Sequence, residues 1–251
     1  HMLVFWLMQN LLCVLYSIVK YSKERMPGMT ERKRLFSALV FLMFLLPVLL
    51  SACSKNTQLE ARRELKILNI PYSEESFLSC IQIGDTTATE LFLNAGMNIN
   101  TMDENGDTAL TWASAKGYTD IVRMLIAKNV NIDVKNKWGN TPLMLAVTDG
   151  NVEIVKILMK KNADVNIINN SGNTALIIAA SKGYTDIAKM LLEKSNINHK
   201  GNSGTTALIQ AVSSGYIDTV KLLLEAGANV NIIDNEGRTA LDIAVNKRYM
   251  N

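Results

Sequence analysis

The chain has 251 residues, 48% hydrophobic and 20% charged, with only four prolines, which excludes a disordered or collagen-like polypeptide. Three cysteines are too few for a disulfide scaffold, and two histidines, His1 and His199, leave little material for a His-rich metal site or a conventional catalytic triad. The formal charge of +3 resides in the N-terminal fifth. Residues 1–52 hold six of the 26 basic groups and two of the 23 acidic ones, leaving 20 basic and 21 acidic beyond them, so the remainder carries no nucleic-acid footprint.

Two apolar stretches open the chain. Leu3 to Val19 is interrupted by Gln9 and Asn10. For residues 1–28 two readings stand: an extra membrane helix with the basic loop Lys20 to Arg34 on the cytoplasmic side, or an extension upstream of a true start at Met26 or Met29. From Met29 the order is a cationic Arg32-Lys33-Arg34, an apolar run Leu35 to Leu50, and Leu50-Ser51-Ala52-Cys53. A charged start, an apolar middle and small residues before a cut describe a secretory signal peptide over residues 29–52. The alternative is an uncleaved anchor, for which 16 residues are short, since a span needs about 20. Leu-Ser-Ala-Cys resembles the lipobox of bacterial lipoproteins. That resemblance implies lipidation of Cys53, removal of residues up to Ala52, and a membrane-anchored, exported protein at the outer membrane, in the periplasm or on the cell surface. Residues 53–70 then read as a lipidated tether with one or two turns of helix, able to reach about 50 Å if fully extended.

From Pro71 the sequence repeats. Gly106, Gly139, Gly172, Gly204 and Gly237 are spaced 33, 33, 32 and 33 apart. Each is followed at fixed offsets by a threonine (Thr108, Thr141, Thr174, Thr206, Thr239), a leucine (Leu110, Leu143, Leu176, Leu208, Leu241) and an alanine (Ala113, Ala146, Ala179, Ala211, Ala244). A second glycine follows in four copies: Gly117, Gly150, Gly183 and Gly215. The threonines are placed to cap a short first helix, the alanines to let helices approach, and the second glycine to break the backbone before an amphipathic second helix such as Ile121-Val122-Leu125-Ile126. Tyr118, Tyr184 and Tyr216 recur at the start of second helices, which predicts packing between repeats.

A period of 33 with Gly-x-Thr-Pro/Ala-Leu and a later glycine resembles the ankyrin repeat, over about 180 residues. The histidine usual after the leucine is replaced by Thr111, Met144, Ile177, Ile209 and Asp242. The resemblance implies an all-α solenoid of stacked helix-turn-helix units with β-turn tips. It divides the chain into an N-terminal capping repeat over 71–102, four repeats over 103–233 and an incomplete repeat over 234–251. The last is read as a natural half-repeat cap or a truncated copy, with the face around Ile243 and Val245 partly uncovered.

No catalytic constellation emerges: no catalytic residue, metal ligand set or cofactor is assigned, and the chain reads as a non-enzyme. Cys80 reads as a small buried core residue, His199 as a solvated loop histidine, and Trp112 as core. Acid pairs such as Asp103-Glu104 and Asp234/Glu236 read as turn formers. The ankyrin resemblance implies binding of a protein partner, by a monomer, through a concave face of turn tips and first-helix ends. On this sequence those positions include Glu104, Asn105, Asp107, Lys116, Lys137, Trp138, Asn140, Asp149, Asn170, Asn173, Lys182, Asn202 and Arg238. Trp138, aromatic at a central tip, is the expected anchor. Narrower alternatives are an inhibitor, immunity or protective partner of one exported enzyme, and an atypical enzyme or ligand-binding repeat protein.

Overall fold

The computed structural model describes residues 54–247; the signal segment, Cys53 and the last four residues lie outside them. The chain divides into two compact units, His1–Glu60 and Ala61–Asn251. Residues 54–60 of the first are helical. The second holds the repeat array and begins ten residues before Pro71, where the repetition starts. Residues 61–67 are helical, and Ala61 and Leu65, one turn apart, are buried in the array's core. This corrects the tether expectation. The charges between Glu60 and Lys66 hide an apolar i, i+4 pair, and burying it fixes the segment as helix, which rises about 1.5 Å per residue instead of the extended 3.3 Å.

Eleven short helices follow: α1 Glu74–Ile83, α2 Thr86–Asn94, α3 Ala109–Lys116, α4 Thr119–Ala127, α5 Pro142–Thr148, α6 Val152–Lys160, α7 Ala175–Lys182, α8 Thr185–Leu192, α9 Ala207–Ser214, α10 Ile217–Glu225 and α11 Ala240–Asn246. Odd-numbered helices pack in one row and even-numbered ones in a second, and each pair packs on itself. No strand occurs among the described residues, where Met102 and Thr108 form an isolated bridge. The all-α helix-turn-helix array matches the fold class expected from the sequence.

The local chemistry explains the lengths. Thr108, Thr141, Thr174, Thr206 and Thr239 are the N-caps of α3, α5, α7, α9 and α11, each hydroxyl accepting from the backbone N–H three residues on. Pro142 takes the first turn of α5, where its missing N–H costs nothing. Ala113, Ala146, Ala179 and Ala211 are fully buried in the first-helix row. The neighbouring Leu110, Leu143, Leu176 and Leu208 fill the space between the two rows, joined by Ile121, Leu125, Ile154, Leu158 and Leu191 from the second helices. No helix pair owns a core; the buried side chains form one continuous cluster from Ala61 to Ile243. The capping repeat keeps this plan with aromatics: Phe77 packs against Phe92 with ring centroids 5.6 Å apart, and Tyr72 stacks on Phe92.

Gly183 is required twice over. It ends α7 with φ of +72°, and a Cβ there would lie 2.4 Å from the Tyr216 ring. Tyr118 covers Gly84 and Tyr184 covers Gly150 in the same way, so the regular tyrosines do join one repeat to the previous one. Where the second copy has Asn151 instead, its amide covers Gly117 and donates to the Ser114 carbonyl at 3.1 Å. At the far end Ile243 is buried, contrary to expectation, while Val245 and Leu241 remain exposed.

Candidate functional site

The tips are closely hydrogen-bonded turns. Each is a four-residue turn beginning at Asp103, Asn136, Asn169, Gly201 or Asp234 and closed by the glycine three residues later, whose N–H donates to the first residue's carbonyl. In four of the five the first side chain accepts two backbone N–H bonds, so that Asn136 Oδ1 receives Trp138 and Asn140 and Asp103 Oδ1 receives Asn105 and Asp107. Gly201 lacks the side chain for this. Successive tips are then linked by one backbone bond each: Lys137 to Asn105, Asn170 to Trp138, Asn202 to Ser171 and Asn235 to Ser203. The amides of Asn170, Asn202 and Asn235 add a second bond, each donating at 2.8 Å to a carbonyl of the preceding tip.

These links redistribute the residues singled out from sequence. Asp107 is buried and accepts from Asn136 Nδ2 at 3.0 Å, so it is withdrawn from the partner-facing set; burial pushes its carboxyl above the usual range against that hydrogen bond. Asn140 accepts from Asn169 Nδ2 at 2.9 Å, and the donors of Asn170 and Asn202 are committed between tips. Arg238 grips its own turn, with Nε and one terminal nitrogen on Asp234 Oδ2 and the other on Glu236. The Arg238 backbone N–H and then its guanidinium hold the Asp234 carboxyl below the ordinary range. Asn173 is half-buried at the third tip. Glu104, Asn105, Lys137 and Trp138 remain exposed at tips, and Lys116, Asp149 and Lys182 at first-helix ends. The Trp138 side chain stands out among them, with about half of its surface in solvent although it is the largest residue type.

The sequence reading missed one row. Trp112 is partly buried and packs against the core, while its indole N–H donates to Asp103 Oδ2 at 2.9 Å at the first tip. The equivalent positions one repeat on are Leu145, Ile178 and Gln210, all half-buried. This row lies just before the close-packing alanines; Trp112 and Ile178 pack against the core, and each keeps part of its surface in solvent. That offset was the available signal: three large apolar residues in register, where the next residue is always alanine. The first helices therefore carry partly exposed Trp112, Leu145 and Ile178, with Trp138 exposed at a tip and Lys116, Asp149 and Lys182 exposed at helix ends.

Nucleophilic and metal chemistry finds no foothold among the described residues. Cys80 is buried, and burial followed by the charge of Asp85 raises its thiol, which suppresses the thiolate. No group of three His, Cys, Asp or Glu is placed to hold a metal ion. His199 is half-buried, correcting the solvated reading; its Nε2 lies 2.9 Å from the Gly172 carbonyl and ties the shortened loop to the previous tip. No described helix is long and apolar enough to cross a membrane.

No curated protein matches the sequence. The family model for ankyrin repeats (3 copies) matches residues 49–136, 76–169, 128–201 and 193–251, in overlapping sets that together cover the whole array. With the period, the threonine caps, the stacked turns and the paired helix rows in agreement, the chain belongs to the ankyrin-repeat family.

Proposed function

We propose that this protein is an exported lipoprotein, anchored by acyl chains on Cys53, whose ankyrin array binds a protein partner along the tip side of its first helices. Ankyrin repeats are generally protein-interaction modules. The observations that carry the binding reading are the exposed Trp138 at the second tip and the partly buried row Trp112, Leu145 and Ile178 on the first helices. A rigid aromatic together with a partly desolvated apolar row supplies an anchor and its surround, the arrangement that concentrates binding energy at interfaces. At the later tips the amides of Asn170, Asn202 and Asn235 already donate to the preceding turn, so a partner there does not have to strip water from them.

The anchor rests on the sequence from Met29 to Cys53. Two or more acyl chains give stable attachment where one does not. Ser54 follows the cysteine, and it is not the aspartate associated with inner-membrane retention in many Gram-negative bacteria, so an outer-membrane destination is favoured. Metabolic labelling with an alkyne fatty acid tests this. Label on the wild type, none on Cys53→Ala, and a mature chain beginning at a lipid-modified Cys53 are expected. An unlabelled protein retaining residues before Cys53 would refute the anchor and leave the binding face to be judged separately.

A further inference from the structure

A cleft of about 380 Å³ opens at the start of the array, lined by Arg62, Lys66, Asn69, Ile70, Pro71 and Tyr72. Its two cations lie one helical turn apart on the segment 61–67. Across residues 61–72 the sequence has three basic side chains against one acidic, Glu64. Among the described residues neither Arg62 nor Lys66 forms an ion pair.

The usual structural reason for such cations is to cap a helix C-terminus, and here that need is already met. Ile70 N–H donates to the Leu65 carbonyl at 2.9 Å and Asn69 N–H to the Lys66 carbonyl at 3.1 Å, with Asn69 at φ of +60°. The last carbonyls are closed by backbone, so neither side chain is needed as a helix cap. Arg62 is also held in place. Its guanidinium lies 4.4 Å from the centroid of the Tyr72 ring, and its Nε reaches the Ala95 carbonyl, which the Tyr72 hydroxyl also engages at 3.1 Å. One terminal nitrogen also donates to the Tyr72 hydroxyl at 3.5 Å, and the remaining N–H donors of this fixed planar cation are left to meet an oxyanion. Lys66 adds a mobile second charge, and Ile70 and Pro71 give an apolar wall.

We propose that this cleft binds the phosphate headgroup of an anionic phospholipid in the membrane that holds the protein. The proposal rests on the Cys53 anchor, because Arg62 is nine residues further along the chain and so within about 30 Å of it even if the link were extended. A basic site tethered that close to a bilayer meets lipid phosphate at high local concentration. The headgroup phosphate pairs with Arg62 and Lys66, and its glycerol end lies along Ile70 and Pro71. Held this way, the array stands at a defined orientation to the surface.

Native mass spectrometry of the full-length protein, released from nanodiscs of phosphatidylcholine containing phosphatidylglycerol, tests the site. The expected result is preferential retention of phosphatidylglycerol by wild type and by Cys53→Ser alike. The double variant Arg62→Ala/Lys66→Ala should lose about 30-fold in that preference, from about fivefold for each basic group. Lys66→Glu, which leaves the Arg62–Tyr72 stack intact, should lower it as well. No preference in wild type, or an unchanged preference in both variants, overturns the proposal. Displacement of the lipid by millimolar glycerol 3-phosphate would reassign the cleft to soluble phosphate esters and likewise overturn it. Using Cys53→Ser alongside separates this outcome from failure of the acylation reading, which the fatty-acid label reports independently.

Discussion

Replacing Gly183 by alanine probes how neighbouring repeats hold together. The backbone there has φ of +72°, which costs a residue with a Cβ about 1–2 kcal/mol. The added Cβ would also lie 2.4, 2.6 and 2.7 Å from Tyr216 Cδ1, Cγ and Cε1. Those are the root and near edge of the ring, not its free end, so the tyrosine cannot simply swing its tip aside. Overpacking of that kind costs about 1–3 kcal/mol, and a stiffer unfolded chain returns about 0.4–1 kcal/mol. The net expectation is a loss of about 1–4.5 kcal/mol. The same substitution in a Tyr216→Ala background retains only the backbone part, about 1–2 kcal/mol, so the double-mutant cycle should show a coupling of at least about 1 kcal/mol. Urea unfolding followed by far-ultraviolet circular dichroism measures all four proteins, with the slope monitored, because repeat arrays can lose two-state behaviour. Additive costs would refute the claim that Tyr216 seats on Gly183, whatever the size of the single-mutant effect.

Thr141→Ala removes the α5 cap and should cost about 1 kcal/mol by the same assay, with Thr141→Ser close to neutral. Trp138→Ala should leave stability within about 0.5 kcal/mol, because the side chain is exposed, yet weaken partner binding about 30-fold or more in a pull-down or titration. Carboxyl-carbon NMR should place the Asp234 and Asp242 midpoints below the ordinary value near 3.9 and the Asp107 midpoint above it. The signs follow from linkage. Asp234 and Asp242 are depressed when folded, so their stabilisation is present above the unfolded value and is lost as pH falls through their folded values. Asp242 is held down first by the Thr239 hydroxyl and then by its backbone N–H. Acid should therefore loosen the tip and cap of α11, and Asp242→Ala should remove part of that pH dependence. Asp107 runs the other way, favouring the folded state as it protonates.

The parts of this fold that repeat, with the capping repeat that echoes them, were open to reading, and the helix that precedes the array was not. Threonine at a fixed offset from glycine located five helix starts, and alanine three residues after leucine located the close-packed row, because each signal recurs. The helix at 61–67 occurs once, and its buried pair Ala61 and Leu65 is outnumbered by charges, so its pattern reads as solvated. Tip residues were placed correctly but their availability was not. Sequence shows that Asn170 and Asn202 sit at tips; only the geometry shows each amide donating to the preceding turn. Asp107 was misread for the same reason, since its partner Asn136 is 29 positions away and pairs with it only once the repeats stack. Trp112 was assigned to the core because a tryptophan inside a helix ordinarily packs inward. It does pack against the core, but its polar end reaches Asp103 and part of the ring stays in solvent.

A photocrosslinking amino acid at position 138 in the living cell tests the proposed role most directly, with the same group at Lys156, exposed on α6, as the comparison. The account predicts a discrete protein adduct from position 138, absent from position 156 and diminished when Trp112, Leu145 and Ile178 are together replaced by serine in a protein shown to remain folded. Adducts that are the same from both positions, or a complete lack of adduct at 138 in a correctly exported protein, would contradict a binding face on the tip side of the array.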